Sequence, residues 1–317
     1  MKKILLLALA GALAIPLFAT LAGCRKKTSD PNEIVIGLAV PSLAHPFFIY
    51  LQKNVMDEAR KLGVRLIPAD AEDSAAKQMA SVEDFIVRGL DGVLISPVGA
   101  DALVPAVESL NRAGIPVATV DRKVNGGDVL VHVGADNVEG GRVAARYLLE
   151  RLAPNARVIQ LEGTPGASPA IDRKKGFEQE IAKSPIKIIA SQTAEFSRAK
   201  GMAVMENLLQ AHKDFQAVYA ANDEMILGAA EAIQGHGLDP SKILLVGYDA
   251  IPDALNYIKL GKLDATIEQF PGRQAREALR LLVDYIRYKK MPPAKEIYIT
   301  PIAIDANNLD QAEQKAQ

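Results

Sequence analysis

The sequence predicts an α/β protein built from two similar, doubly wound lobes. Short apolar segments rich in β-branched residues alternate with helical segments along most of the chain, and this alternation starts afresh near residue 157. The length of the chain supports the same prediction. About 290 residues follow Cys24, which is more than one hydrophobic core of ordinary size contains.

The first lobe starts with residues 34–40, a run that is apolar without alternation. Strands of this kind are buried on both faces of a parallel sheet, and the helices between them make right-handed crossovers. Pro46 and Gly63 mark the start and the stop of the first helix. Strands are predicted at 34–40, 64–67, 92–96 and 116–120, and helices at 46–62, 74–89 and 101–113.

The second lobe repeats the pattern, and the chain then returns to the first. We expect chain crossings near Ala135, Gln269 and Ile299. The N-terminal lobe then comprises 33–135 and 270–298, and the C-terminal lobe comprises 136–269 and 299–317. Strands are predicted at 157–161, 186–190, 217–220, 243–247 and 265–268, and helices at 168–183, 197–212, 223–235, 252–261 and 272–289.

The N-terminus has the pattern of an export signal. Lys2 and Lys3 precede nineteen residues without a charge, 4–22, and the sequence Leu21-Ala22-Gly23-Cys24 closes this segment. This ending resembles a bacterial lipobox, in which the cysteine is lipidated and becomes the first residue of the mature protein. We therefore expect a signal peptide at 1–23, a tether at 24–32 and a lipid anchor on the periplasmic or extracellular side of the membrane. The alternative is a single transmembrane anchor, because nineteen apolar residues nearly span a bilayer.

Charge and motif content exclude several classes of function. Removing residues 1–23 takes two lysines from the 37 basic side chains and leaves the 38 acidic ones, a formal charge of −3. This balance provides no basic surface for nucleic acid. The four histidines lack metal-ligand spacing, and no dinucleotide fingerprint, phosphate loop or nucleophile elbow is present. We expect a protein that is not an enzyme and holds neither a metal nor a cofactor.

Polar and aromatic residues follow the predicted strands directly, at the edge of the sheet where ligands bind in open α/β folds. Carboxylate, guanidinium and amide groups hydrogen-bond hydroxyls, and aromatic rings cover the C–H face of a sugar. The combination is typical of a site for an uncharged polyol. The residues in question are His45, Phe47, Phe48, Asp121, Arg122, Phe196, Asn222, Asp249 and Gln269.

Five segments in this order resemble the ribose-binding branch of the type I periplasmic sugar-binding proteins. They are residues 45–48, 120–122, 221–225, 247–249 and 265–269, and the match is collinear from about Glu33 to Ile304. The resemblance implies a clamp of two lobes joined by three hinge crossings, with a monosaccharide bound in the cleft. It also implies a monomer that delivers the sugar to an ABC permease in the membrane.

Several of these residues also have a structural interpretation. The three phenylalanines have the side chains of an ordinary core, and Asp121-Arg122 has the composition of an exposed ion pair. Asn222 is a suitable cap for the helix that follows it, and Asp249 precedes a further helix. For Asn222 both interpretations can hold, because a residue at the start of a helix also faces the cleft.

Three positions depart from the ribose-binding pattern. The resemblance implies an arginine where this chain has Ile171, a serine where it has Pro41, and an asparagine where it has His45. Arg173 lies about 200° around a helix from Ile171, so we expect that it does not replace the missing guanidinium. This predicts a related but altered ligand, such as a different pentose, a hexose or a deoxy or methylated polyol, and leaves ribose itself as an alternative.

Two other functions compete with delivery to a permease. The closed lobes can instead dock on a sensor kinase or chemoreceptor, and nothing in the sequence separates these partners. A transcription regulator with the same core requires a helix-turn-helix before the first strand, where residues 1–32 hold signal and tether.

Overall fold

A computed structural model describes residues 33–315. The predicted signal peptide, Cys24 and the tether at 24–32 lie outside these residues, as do 316 and 317. The described residues belong to one compact unit.

In chain order, the described residues form twelve strands and nine α-helices. The strands are β1 Val35–Val40, β2 Arg65–Asp70, β3 Gly92–Ile95, β4 Val117–Val120, β5 Val131–Ala135, β6 Arg157–Glu162, β7 Lys187–Thr193, β8 Ala217–Ala220, β9 Leu244–Val246, β10 Thr266–Glu268, β11 Glu296–Ile299 and β12 Ile302–Ile304. The helices are α1 Pro46–Leu62, α2 Ala75–Arg88, α3 Val104–Arg112, α4 Asn137–Leu149, α5 Ser168–Ile181, α6 Arg198–Ala211, α7 Asp223–Gly235, α8 Pro252–Lys259 and α9 Pro271–Tyr288.

The N-terminal lobe is built on a parallel sheet of six strands in the order β11-β5-β4-β3-β1-β2. β1, β3, β4 and β5 are buried along their whole length, as their continuous apolar sequences predict. Helices α1 and α9 cover one face of the sheet, and α2 and α3 cover the other. This is the doubly wound arrangement expected from the sequence.

The C-terminal lobe is built on a parallel sheet in the order β7-β6-β8-β9. A bridge between Val246 and Ala265 connects this sheet to β10, which pairs antiparallel with β12. Helices α6 and α7 cover one face, and α4 and α5 cover the other. Two lobes of α/β architecture are therefore present, and the exact lobe boundaries remain a prediction that the membership of the sheets supports.

Sequence reasoning placed most elements within a few residues but missed β5, α4, β11 and β12. Helix α4 is concealed by Gly140 and Gly141, because glycine disfavours helix interiors. Here the two glycines allow close packing. A β-carbon on Gly141 would lie 2.2 Å from the backbone oxygen of Arg173 in α5. The glycines that weaken the helix pattern in the sequence thus permit the contact that holds α4 in place.

The described part of the chain holds no helix that is long and apolar enough to cross a bilayer.

Candidate ligand-binding site

All nine side chains predicted to bind ligand line one cavity. Pro169 and Arg173, both in α5, line it as well. About 330 Å³ of space, part of it open to solvent, lies between these side chains. Their mixture of charged, amide and aromatic groups suits a small molecule with many polar groups.

The carboxyl ends of the strands place the polar residues. Asp121 and Arg122 follow β4, Asn222 follows β8, and Gln269 follows β10. Because parallel strands end at the same edge of a sheet, residues far apart in sequence meet there. Each of the two sheets contributes such an edge, and the cavity lies between them.

Asp121 and Arg122 form the charged group of the N-terminal lobe. Both side chains are buried, with 3.9 Å between Arg122 Nε and Asp121 Oδ2. The hydroxyl of Ser96 donates to Asp121 at 3.2 Å, and Arg122 Nη1 donates to the carbonyl of Val98 at 3.1 Å. Burial raises the pKa of the Asp121 carboxyl and lowers the pKa of the Arg122 guanidinium. The pair is thus a fixed acceptor and donor, and the interpretation as an exposed ion pair is wrong.

Arg173 organises the other half of the cavity. Its Nε donates to Asn137 Oδ1 at 2.8 Å, and Nη1 donates to Ala221 O at 2.7 Å and to Asp249 Oδ1 at 3.2 Å. Its guanidinium carbon lies 3.6 Å from the centroid of the Tyr248 ring. This arrangement holds a buried guanidinium in one orientation toward the ligand space.

The Arg173–Asp249 pair is electrostatically coupled. Burial raises the pKa of Asp249 to about 7, against the opposing effect of Arg173. Burial acts to lower the pKa of Arg173, but the neighbouring acidic groups, Asp249 first, raise it overall. The cavity therefore contains two carboxyls and two guanidiniums, which nearly balance each other and favour an uncharged ligand.

The two amides add neutral donors and acceptors. Asn222 Oδ1 accepts from Met225 N at 3.0 Å and caps α7, while its Nδ2 donates to Phe196 O at 3.1 Å. Asn222 therefore caps α7 and also lines the cavity. Gln269 Nε2 donates to Asp249 Oδ1 at 2.6 Å, so the amide also orients the carboxyl.

Three phenylalanines supply the apolar surface. Phe47 and Phe48 are buried at the start of α1, with ring centroids 5.1 Å apart in an edge-to-face arrangement. They belong to the core of their lobe and line the cavity, so both interpretations of this pair hold. Phe196 likewise belongs to both the core and the cavity lining. It is buried in the core of the other lobe, and its ring centroid lies 5.6 Å from the guanidinium carbon of Arg122 in the cavity.

The backbone at three cavity residues is in the left-handed region. The φ angles are 63° at Asp121, 60° at Phe196 and 109° at Asp249. Such angles are unfavourable for residues other than glycine and cluster at functional sites. Asp249 does not cap α8, whose N-cap is Ile251, so its position is explained by the cavity rather than by the helix.

Glycine makes room for one of these residues. A β-carbon on Gly163 would lie 2.1 Å from the Phe196 ring, so that ring occupies space that any other residue would fill. The stretch at 163–166, which carries no phosphate-loop signature, thus has a packing role beside the cavity.

The expectation for Ile171 and Arg173 is wrong. Ile171 is 55% exposed and lies outside the cavity, whereas Arg173 is 2% exposed and lines it. The 200° between them means that one residue faces outward when the other faces the cleft, and the exposed one is Ile171. The site therefore has its second guanidinium. The helical spacing does predict that only one of the two residues faces the cleft, but that residue is Arg173 and not Ile171.

The other two departures differ in importance. Pro41 is buried but does not line the cavity, whereas His45 does. His45 Nε2 lies 3.3 Å from Asp73 Oδ2, so the imidazole is held at the rim by a residue from the loop after β2. Of the three departures, His45 is the one that reaches the ligand space.

No group of three or more histidine, cysteine, aspartate or glutamate side chains suited to a metal ion occurs in residues 33–315.

Comparisons with known proteins agree with this geometry. The family described as "Periplasmic binding protein domain" matches residues 36–290. The ribose import binding protein of Bacillus subtilis (strain 168) is 44% identical over 264 residues, which cover 83% of this chain and 85% of the relative. The Caulobacter myo-inositol binding protein, solved with myo-inositol, has a TM-score of 0.85 at 35% identity and covers 90% of this chain and 97% of its own. The fructose-binding periplasmic domain of a hybrid two-component system has a TM-score of 0.82 at 31% identity, covering 87% and 92%. The chain belongs to the periplasmic binding protein family, in the ribose-binding branch of the type I sugar-binding proteins.

Proposed function

We propose that the ligand is D-ribose, held in the cavity between the lobes. Members of this branch are extracytoplasmic binding proteins of ABC importers and not enzymes, so the chain captures a monosaccharide and delivers it to a permease. The observation that carries the choice of ribose is Arg173. Its buried guanidinium removes the reason for expecting an altered ligand, and the B. subtilis relative is named for ribose import.

The chemistry of the cavity supports a neutral sugar. Asp121 and Asp249 accept hydrogen bonds from hydroxyls, while Arg122, Arg173 and Asn222 supply donors. Each charge-assisted hydrogen bond contributes about 1.5–3 kcal/mol. The phenylalanine rings cover the apolar face of the ring and exclude water. Because the ligand contacts both lobes, it binds the closed arrangement better than the open one and shifts the population toward closure.

Titration calorimetry with a panel of sugars tests this proposal. We expect D-ribose to bind more tightly than D-allose, L-arabinose, D-fructose or myo-inositol, and Asp121→Ala to abolish the signal. Asp128→Ala, an exposed acid on the same lobe, is the matched control and should bind like the parent. Tighter binding of another sugar in the panel would exclude ribose but keep the class, whereas no binding of any sugar would overturn both.

We further propose that Cys24 carries a lipid anchor and that the protein is a monomer. The Leu-Ala-Gly-Cys ending supports the anchor, and Cys24 is the one cysteine of the sequence. Detergent phase partition of the expressed protein should place it in the detergent phase, and Cys24→Ala should move it to the aqueous phase. Light scattering during gel filtration should give the mass of one chain.

A second candidate is a sensory role, supported by the likeness to the fructose-binding domain of a hybrid two-component system. The two roles differ in a deletion strain. Loss of an import component abolishes uptake of the sugar by induced cells, whereas loss of a pure sensor leaves that uptake intact.

A further inference from the structure

The end of the N-terminal lobe that lies opposite the cavity carries a cluster of exposed cations. Helices α1 and α9 both end there, and the guanidinium of Arg287 donates to the carbonyl of Leu62 at the end of α1. We call this surface the cationic base. It consists of Arg60, Lys61, Arg287, Lys289 and Lys290, all of them exposed.

Acidic neighbours do not cancel the charge at the outermost layer. The Arg60 side chain is 76% exposed, against 34% for its partner Asp57. Lys290 is 70% exposed, against 35% for its partner Asp284. In both pairs the cation is more exposed to solvent than the acid, and both acids lie within helices, Asp57 in α1 and Asp284 in α9. A flat anionic surface that approached this end would therefore meet positive charge first.

Compensation of helix dipoles does not by itself explain the cluster. Basic residues in the last turn of a helix are favourable wherever a helix ends. This compensation accounts for the cations in the last turns of α1 and α9, as it does for Arg146 in α4 and Lys259 in α8. Lys289 and Lys290 lie at and beyond the end of α9 and add positive charge beside the end of α1, which points to a partner for that end.

An aromatic and an aliphatic side chain lie within the base. Tyr288 is 70% exposed and Met291 is 60% exposed, and both directly flank the lysine pair. Exposed tyrosine between cations is typical of surfaces at the level of lipid head groups, where an amphipathic ring is partly desolvated. The composition therefore fits an anionic bilayer better than a protein groove.

The chain enters the folded unit at this same end. Arg65, three residues after the end of α1, donates its backbone N–H to the carbonyl of Ile34 at 2.9 Å and pairs with Glu33 through its side chain. Glu33 is nine residues from Cys24, so an anchor there keeps the base within about 30 Å of the bilayer. This step alone rests on the proposed lipid anchor.

We propose that the cationic base rests on anionic phospholipid head groups and orients the tethered protein. The chain after residue 23 has a formal charge of −3, so the rest of the molecule is repelled by the same surface. Attraction at one end and repulsion elsewhere select one orientation. In that orientation the cavity, at the opposite edge of the sheet, opens away from the bilayer toward incoming sugar.

The sequence contains no tryptophan, so a single tryptophan introduced by substitution reports on this contact. Residues 24–317 are coupled through Cys24 to maleimide lipids in vesicles that contain brominated phosphatidylcholine, with or without phosphatidylglycerol. We expect the brominated lipid to quench Tyr288→Trp fluorescence when phosphatidylglycerol is present and not when it is absent. The matched control is Leu260→Trp. The native Leu260 side chain lies on the C-terminal lobe and is 67% exposed, and a tryptophan there should stay unquenched.

Charge reversal tests the cause of the contact. In the Tyr288→Trp background, Lys289→Glu with Lys290→Glu should weaken association at least about 25-fold, since each lysine near an anionic surface contributes about fivefold and each introduced glutamate is repelled. Lys213→Glu with Lys242→Glu changes two exposed lysines of the C-terminal lobe and should have no effect. About 0.5 M salt, which shortens the screening length to about 4 Å, should also release the parent.

Equal quenching of the two tryptophan positions, or quenching without phosphatidylglycerol, would overturn the proposal. Both outcomes are independent of the proposed function, because chemical coupling replaces the cellular anchor and sugar binding is measured separately. If Cys24 does not anchor the protein in cells, the protein will not enter the detergent phase. The quenching test still gives its own result, because there the anchor is chemical.

Discussion

Arg173 connects several residues around the cavity, although it was not among the residues predicted from the sequence to bind ligand. Its guanidinium contacts Asn137, Ala221 and Asp249 and stacks on Tyr248. A planar, forked donor has no equivalent in lysine, whose ammonium is a single point charge. The orientation of the Asp249 carboxyl depends on this fork.

We therefore expect Arg173→Lys to lower the affinity for sugar about tenfold or more, as the loss of one charge-assisted hydrogen bond implies. Ile171→Ala, two residues away on the exposed side of α5, should leave the affinity unchanged. Calorimetry measures both, and circular dichroism checks that each variant is folded. An Arg173→Lys variant that binds like the parent would remove Arg173 from the site.

The carboxyl of Asp249 makes binding depend on pH. Burial raises its pKa to about 7; Asp121 acts in the same direction, and Arg173, Gln269 and His45 act in the opposite one. Sugar hydroxyls donate to the ionised form, whereas the free protein takes up a proton as the pH falls. Affinity should therefore fall below pH 7, by up to about tenfold per pH unit.

Calorimetry between pH 5 and pH 8 checks this dependence, with Asp249→Asn as the control. The amide cannot ionise, so the weaker affinity of this variant should stay constant over the range. The variant retains His45, so a constant affinity also shows that His45 does not cause the pH dependence. A parent affinity that stays level below pH 7 would show that the ligand does not require the ionised carboxylate.

At the scale of elements, buried side chains form hydrogen bonds that stabilise the turn between β9 and α8. Thr266 in β10 donates to Asp223 Oδ1 at 2.7 Å and accepts from Ala250 N at 3.1 Å. Asp223 Oδ2 accepts from Ile251 N at 2.9 Å. These bonds fix the left-handed backbone of Asp249 and Ala250, although neither Thr266 nor Asp223 lines the cavity.

Thr266→Val keeps the volume of the side chain and removes both bonds. We expect the free energy of unfolding to fall by about 1–3 kcal/mol, because Asp223 Oδ1 is left buried without a donor. Sugar affinity should fall as well, since the turn carries Asp249. Urea unfolding and calorimetry measure the two effects, and Thr300→Val, at an exposed position, is the control. Unchanged affinity together with lower stability would show that the turn keeps its shape without these bonds.

On the scale of the whole molecule, the lobes also contact each other outside the cavity. Ala100 N donates to Gly166 O at 3.0 Å, and Lys123 N donates to Ser168 Oγ at 2.9 Å. Each bond joins a loop of one lobe to a loop of the other. Closure is therefore stabilised in part by the protein itself, and the ligand has to supply less of the free energy.

Ser168→Ala removes one of these bonds without changing a residue that lines the cavity. A neutral hydrogen bond contributes about 0.5–1.5 kcal/mol, so the affinity for sugar should fall about two- to tenfold. Small-angle scattering should show a larger radius of gyration for the variant at subsaturating sugar. Ser81→Ala, in which the lost bond lies within one helix, should behave like the parent. Identical scattering and affinity for Ser168→Ala would show that the bond does not contribute to closure.

The alternation of apolar strands and helices, together with the residues after each strand, predicted most of the architecture and nine of the eleven cavity residues. The failures have physical causes. Arg173 sits within a helix, where orientation depends on which face packs against the sheet. Helix α4 was missed because its glycines serve packing against α5, which is a tertiary contact. The left-handed angles of Asp121 and Asp249 also depend on tertiary bonds that local sequence does not encode.

The left-handed backbone at Asp121, Phe196 and Asp249 restricts how this protein can acquire a new specificity. β-Branched side chains are strongly disfavoured at such angles, so few replacements at these three positions preserve the fold. His45 and Pro169 line the same cavity with ordinary backbone angles, and His45 lies at the start of α1. Divergence toward other sugars should therefore accumulate at the rim positions, while the strained positions persist as the common framework for recognising hydroxyls.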